Sequence, residues 1–541
     1  MSAEIVLSSD RGSFTDYSGA NPLGYVACMP HRLVPRILMD KVFTPPMKSY
    51  SSGEAIDAPY ALRKVEAIIS GSGYRSVAVA PPEKLSKIVD RSTRVLGISV
   101  HDPYGLSPVS TKLSLMFGGG RSWTAKFFED LGETIVSLKN KYHFTVFAGG
   151  PGVWQMDLQR PEWVDVVFNG EAELDLPPLI RKILSGEPFP AKVNGRDPKV
   201  DQIPTIIKPA RFGEVQVTRG CPRGCQFCSI TPEMFRSIPM KDIMAEVSLN
   251  LRAGHKSVDL VTDDILLYGS KKLETNHQAV VDLFRNIREA GVEEIYFPHI
   301  SSPAVKDSPE TVMEISNIAE YDKYRGEIPV VGLESGSTRI IEKYMRGKAF
   351  PWGPADWGDI IVDSAGIMND AFITPCFTMT IGFSDESNDD VRETIKLSER
   401  IINSGSKAFL FPLPVIPITR SRLKNNSFPE ADLLPESYWE LLYVSWKNDI
   451  DLIRRMIPDL TYRMNSAFMH KITGTMMDRI FGSIENMFRD LMETRGKKAM
   501  DYGRYDLGSA MGLFRSFFKL IRSPAVKTAL RRKREGYSKT Y

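Results

Sequence analysis

Over the first 190 residues, short runs of β-branched and aliphatic residues alternate with longer stretches whose apolar positions recur every three or four residues. Compact apolar runs of the first kind read as strands, and stretches of the second kind read as amphipathic helices. Strands are predicted at Ile5–Ser8, Val77–Ala80, Val95–Val100, Phe144–Phe147 and Val164–Phe168, with helices at Tyr60–Ser70 and Ala125–Asn140. This rhythm predicts an α/β sheet, a Rossmann-like domain over 1–190, with any ligand at the carboxyl edge of the strands. The Pro-punctuated stretch 191–209 reads as a linker.

A second series occupies 210–425. VQVTRG, SVDLVTDD, EIYFPHI, PVVGLES, FTMTIGF and KAFLFPL are predicted strands. Between them lie helical patterns at Met240–Ala253, His277–Ala290, Ser308–Ile318, Thr338–Tyr344 and Asn388–Asn403. Six strands with intervening helices predict a partial (β/α)6 barrel, whose chemistry lies at the C-terminal strand ends. Residues 426–541 show helical periodicity rich in Met, Trp and Tyr, including Trp439, Trp446, Met456, Met464 and Met469.

Charge narrows the functional classes. The 69 basic and 66 acidic side chains of the 541 residues nearly cancel, which argues against a general nucleic-acid binder. Basic residues do collect locally, with seven Lys or Arg and one Glu in 521–541, which reads as a solvated tail. No apolar run approaches the roughly 18 residues of a membrane span, and the N-terminus lacks a signal-peptide pattern, so a cytoplasmic location is expected.

Five cysteines are too few for a disulfide framework in a chain of this length. Three of them, Cys221, Cys225 and Cys228, form CxxxCxxC in TRGCPRGCQFCSI, directly after a predicted strand. Three soft thiolates on one tight loop, with Gly220 and Gly224 to permit the turns, suit an iron–sulfur cluster. Zinc would need a fourth ligand, and the nearest histidine is His255. A [4Fe-4S] cluster on three cysteines keeps one iron open.

This motif, with Phe227 before the last cysteine, resembles the radical S-adenosylmethionine (radical SAM) superfamily. The resemblance implies that SAM occupies the open iron and is cleaved to a 5′-deoxyadenosyl radical. By the same resemblance, Asp263 and Asp264 of LVTDD and Glu334, Ser335 and Ser337 of VGLESGS contact SAM. Gly382 and Glu386 of TIGFSDES resemble the adjoining family turn, with a backbone and capping role.

The N-terminal segments LGISV, FAGGPGVW and FNGEAE together resemble the cobalamin-binding domain of cobalamin-dependent radical SAM proteins. The resemblance implies that Ser99, Asp102, Gly149, Gly150 and Pro151 line cobalamin, with Gly170 and Glu171 as another wall. Simple cobalamin carriers place a DxHxxG histidine after the first strand. This chain has SSDRGSFTDYSG there, so cobalt is expected to lack that ligand. Tyr17 and Tyr104 are candidate neighbours of that face, and His101 a weaker one. The glycines of Phe117–Trp123 lack the GxxxxGK[ST] pattern, which argues against a nucleoside-triphosphate site.

Together these resemblances imply a methyltransferase acting on an unactivated sp3 carbon. It is similar to archaeal C-methyltransferases, such as those acting on a glutamine α-carbon of methyl-coenzyme M reductase. The expected partners are a protein substrate of that kind, or a lipid, and an external electron donor, with no nucleic acid. The rival expectation is ring closure or carbon–carbon coupling on archaeal lipids. Cys28 and Cys376 are left without a role.

Overall fold

The computed structural model describes residues 3–19, 21–230, 233–430, 434–461, 481–482 and 484–496. The basic tail, Met464 and Met469 lie outside the described residues. Six parallel strands make the first sheet: β1 (Ile5–Ser9), β2 (Val77–Val79), β3 (Val95–Ser99), β4 (Thr145–Gly149), β5 (Val166–Asn169) and β6 (Lys192–Asn194). Their order is β2-β1-β3-β4-β5-β6. The chain reverses direction across the sheet between β1 and β3, which places a topological switch point there.

Strand alternation builds two cores, one on each face. Val6, Leu96, Ile98, Val146 and Val167 pack with Phe128, Leu131 and Ile135 of helix Trp123–Lys139. The intervening Ile5, Leu7, Val95, Phe147 and Val166 pack with Leu62 and Ile69 of helix Tyr60–Gly71 and Leu179 and Ile183 of helix Leu176–Ser185. Burial on both faces is why these strands read as continuous apolar runs. Helix Trp123–Lys139 begins two residues before its predicted start because Ser122 caps it, accepting the Ala125 amide at 3.2 Å.

The stretch expected as a linker does structural work. It supplies β6, which pairs with β5, and its backbone is stitched down on both sides. Lys64 donates to the Pro204 carbonyl at 2.5 Å, Arg63 to Pro209 at 2.9 Å, and the Ile206 amide donates to Glu246 at 3.0 Å.

The second sheet system starts with β7 (Val215–Gln216), followed by a short antiparallel pair, β8 (Thr218–Arg219) and β9 (Arg236–Ser237). Then come β10 (Ser257–Val261), β11 (Glu294–Tyr296), β12 (Val330–Glu334), β13 (Cys376–Ile381) and β14 (Phe409–Pro414). Parallel pairing runs β7-β10-β11 and β12-β13-β14, and a parallel bridge between His299 and Val330 joins the two halves. Six parallel strands in sequential order with helices between them are the expected partial barrel. Two further helices, Ser302–Asp307 and Trp357–Asp370, fill the connections on either side of β12. Helix Ser437–Thr461 covers edge strand β14, where Asp449 accepts the Leu410 amide at 2.8 Å. Among the described residues no helix is long and apolar enough to cross a membrane.

Candidate active site at the facing edges of the two sheets

The cysteine loop is pinned at both ends. The β8–β9 pair closes its base through Thr218 with Ser237 and Arg219 with Arg236. Gly220 opens the loop at φ +80°, where a Cβ would lie 2.6 Å from the Met234 carbonyl, so this turn needs glycine. The far side is clamped: the Gln226 amide donates to Tyr344 O at 2.9 Å and its side chain to Lys343 O at 2.7 Å. Burial pushes the Cys221 and Cys225 thiols up to about 11 and raises Cys228 as well. The three thiols lie close enough to influence one another's charge, although among the described residues no three Cys, His, Asp or Glu side chains are already gathered as a metal site. None is in a disulfide.

Around them stand the strand ends. Asp263 follows β10, and burial beside Glu233 and Asp264 pushes its carboxyl up to about 7. Asp264 is 3% exposed and committed inward. It accepts from Arg223 Nη2 at 3.3 Å and from both the hydroxyl and the amide of Ser301. Its role is to hold Arg223, which sits inside the CxxxCxxC motif. Glu334 ends β12 at φ +64°, a strained conformation for a residue with a side chain. Its Oε1 accepts from Lys348 Nζ at 2.8 Å and its Oε2 from the Thr380 hydroxyl at 2.5 Å.

Ser335 and Ser337 are fully enclosed and work on the backbone. Ser335 Oγ accepts the Ser337 amide at 3.1 Å, and Ser337 caps helix Thr338–Met345 while donating to Asp390 at 2.6 Å. Glu386 caps the turn after β13, accepting the Gly382 and Phe383 amides at 2.5 and 3.3 Å. Its Oε1 is buried with no partner among the described residues, as is Arg223 Nε. Two orphaned buried polar atoms flanking a three-thiol loop fit a group that arrives with its own donors and acceptors.

At the first sheet, the loops after β3, β4 and β5 lie along the carboxyl edge, on the β3 side of the switch point. Gly150 has φ +102°, and a Cβ there would sit 2.8 Å from Val100 O, so its role is close loop packing. Gly170, at φ +110°, does the same against Gly195 O at 2.6 Å. Asp102 takes five hydrogen bonds, from the Ser107 amide and hydroxyl, Ser110, Thr124 and Gln155, which leaves it organising the loop rather than facing a ligand. Ser99, Gly149 and Pro151 remain at the accessible rim. A Cβ on Gly149 would meet Phe168 O at 3.4 Å, an ordinary contact, so this position does not itself demand glycine. Tyr17 and Tyr104 donate their hydroxyls to the carbonyls of Gly12 and Gln159, and His101 is exposed.

Glu171, expected beside cobalamin, stands at the carboxyl edge with its carboxylate already ion-paired. It lies just past β5, 8% exposed, and accepts from Arg219 on β8 and Arg236 on β9. The carboxyl edge of the first sheet is therefore bound to both ends of the cysteine loop.

Residues 215–398 match the Radical SAM superfamily. This part of the chain is a radical SAM domain. Among solved structures, the chain is similar to the radical SAM methyltransferase TsrM from Kitasatospora setae with cobalamin and [4Fe-4S] cluster bound. The TM-score is 0.52 at 14% identity, covering 78% of this chain and 77% of that one. TsrM with tryptophan substrate and a SAM analog gives 0.51 at 13% identity. These likenesses show the fold, including the domain that precedes the radical SAM barrel. Curated relatives include tRNA-2-methylthio-N(6)-dimethylallyladenosine synthases from Syntrophomonas wolfei, 28% identical over 293 residues, and Aeromonas salmonicida, 24% over 310. The matches cover 53–54% of this chain and 60–63% of those relatives.

Two residues of the radical SAM domain escaped the sequence reading. His299, at the end of the β11 segment, donates from Nδ1 to the Thr262 carbonyl at 3.0 Å. Burial lowers its pKa, so the neutral ring presents Nε2 as an acceptor. Lys348 follows helix Thr338–Met345, and no spacing marks it out. The HI of EIYFPHI was the available signal for His299: a polar residue at a strand end in an otherwise apolar run.

Proposed function

We propose that this protein is a cobalamin-dependent radical SAM methyltransferase acting on an unactivated sp3 carbon. The observation that carries the reading is the Glu171 carboxylate. It ties the carboxyl edge of the first sheet to Arg219 and Arg236 at the base of the cysteine loop, which supports a reading in which the two cofactors act side by side. When bound, the cluster with SAM supplies a hydrogen-abstracting radical, and cobalamin supplies the methyl group.

The chain's own residues do the rest. Cys221, Cys225 and Cys228 would hold the cluster, leaving it one position without a protein thiolate. Arg223, fixed by Asp264 and Ser301, stiffens the loop between them. Asp263, half-buried after β10, suits the ammonium of SAM, and Glu334, held by Lys348 and Thr380, would meet a SAM hydroxyl only through a shared acceptor oxygen. Ser335, Ser337 and Glu386 set the backbone around that pocket. Ser99, Gly149 and Pro151 would form the rim that admits cobalamin, and the Tyr17 and Tyr104 hydroxyls are already donated to the backbone.

In this reading the acceptor is a carbon of a protein substrate, a glutamine α-carbon of methyl-coenzyme M reductase, and an external donor supplies the electron. The near-balanced charge supports a protein acceptor over RNA. Turnover with CD3-labelled SAM on the candidate protein, followed by peptide mass spectrometry, tests it. A deuteriomethyl group on that glutamine is expected. SAM cleavage with label only on lipid, or on no substrate, contradicts it.

A further inference from the structure

Lys348 lies in a turn whose position the cysteine loop itself dictates. Arg223, between Cys221 and Cys225, donates from Nη1 to the Lys348 carbonyl at 3.1 Å. The neighbouring Gly347 sits so close to the Arg223 carbonyl that any side chain would overlap it. The ammonium is thereby delivered to Glu334 Oε1 at 2.8 Å, with both side chains nearly enclosed, at 13% and 7% exposure. Burial alone would push the Lys348 ammonium down, but the Glu334 carboxylate raises it above the ordinary lysine range.

The barrel is shaped around this pair. A Cβ on Gly332 would overlap both Glu334 Oε1 and Lys348 Nζ, so β12 gives up a side chain there. The register of β12 on β13 shifts between Gly332 and Glu334, and Glu334 takes its strained φ at that irregularity. A strand that omits a side chain and tolerates strain to seat an ion pair gives up stability for the pair's position.

That position is beside the thiols. Arg223 stands between Cys221 and Cys225, and the turn that carries Lys348 packs directly on it, through the Lys348 carbonyl and through Gly347. Reduction adds a negative charge to a cluster, so a nearby cation favours the reduced form and a nearby anion the oxidised form.

We propose that Lys348 is a positioning residue that fixes Glu334 and offsets its charge at the cysteine centre, so that the pair jointly sets the cluster's reduction potential. This rests on the cluster reading above. The test is a dye-mediated redox titration followed by EPR, on reconstituted full-length wild type, K348M, K348R, E334Q and the double variant.

At the wild-type midpoint, K348M is expected to shift the oxidised-to-reduced ratio at least tenfold toward oxidised, which is 59 mV for a one-electron couple. E334Q is expected to shift it the opposite way, K348R to stay close to wild type, and the double variant to return to within about threefold. SAM affinity should fall in K348M and recover in K348R. Unmoved midpoints in K348M and E334Q at wild-type iron content overturn the proposal. If K348M loads no iron, an unmoved midpoint in E334Q overturns it equally. A wild-type protein with no reduced-cluster EPR signal overturns the cluster reading, and this proposal with it.

Discussion

Cys225 is buried and lies in the middle of the motif, with Cys221 and Cys228 less enclosed on either side. Replacing Cys225 with Ala removes one of three ligands while leaving a small apolar residue in an apolar place. The folded chain is expected to persist by circular dichroism, while iron content and the broad cluster absorbance fall to background. Lys112 supplies a second test, independent of any cofactor. It is 0% exposed, its Nζ lies 3.6 Å from the Phe411 ring centroid, and it has no hydrogen-bond partner among the described residues.

Burial pushes Lys112 from 10.5 down to about 7. Between those values the folded protein binds fewer protons than the unfolded chain, so stability rises with pH through this window and levels off above it. Asp449, which burial pushes up to about 7, is ionised through most of the same window. Lys112→Met is expected to flatten the rise in stability between pH 7.5 and 10 in urea melts. A slope identical to wild type would contradict the assignment. At this scale the sequence showed the thiols plainly, because three ligands fall within eight residues. It did not show that Asp264, Ser337, Asp102 and Glu171 already have partners, since those partners lie between 5 and 65 residues away along the chain.

Elements were more legible than their ends. Periodicity located β10 to β14 because each strand buries alternate residues under a helix, and that pattern is local. β6 was missed since its three residues, Lys192–Asn194, are exposed or half-buried at a sheet edge and carry almost no apolar signal. Helix Trp357–Asp370 was missed for the opposite reason: Gly358, Ser364 and Gly366 interrupt its pattern, and tertiary packing of Trp357, Ile360, Ile361 and Met368 overrides them. Loop geometry gives the prediction for this scale. Gly150→Val places a branched side chain at φ +102° against the Val100 backbone. Retained cobalamin per chain is expected to drop at least tenfold while iron content stays at the wild-type level. Equal loss of both would mean that the loop serves the whole fold and not the first sheet's edge.

Across the molecule, the first sheet and the barrel are fastened by buried polar pairs. Lys64 and Tyr60 meet Glu246 at 2.7 and 2.8 Å, Arg211 reaches Ser13 O at 2.9 Å, and Glu171 holds Arg219 and Arg236. Glu171→Ala leaves the enclosed Arg236 guanidinium without its carboxylate and Arg219 with Glu173 alone, and is expected to cost about 3–5 kcal/mol in chemical denaturation. Glu171→Gln keeps one acceptor and should cost less. The domain order was readable from sequence; this coupling was not, because each ion pair joins segments that no local pattern relates. The reading as a whole requires both cofactors to act on SAM in one chamber. The most direct measurement is anaerobic incubation of protein carrying iron and cobalamin with SAM and a low-potential reductant, with products quantified by mass spectrometry. Release of both 5′-deoxyadenosine and S-adenosylhomocysteine is expected, the second only when cobalamin is bound. Release of neither, or of the same products with and without cobalamin, would contradict a cobalamin-dependent radical methyltransferase.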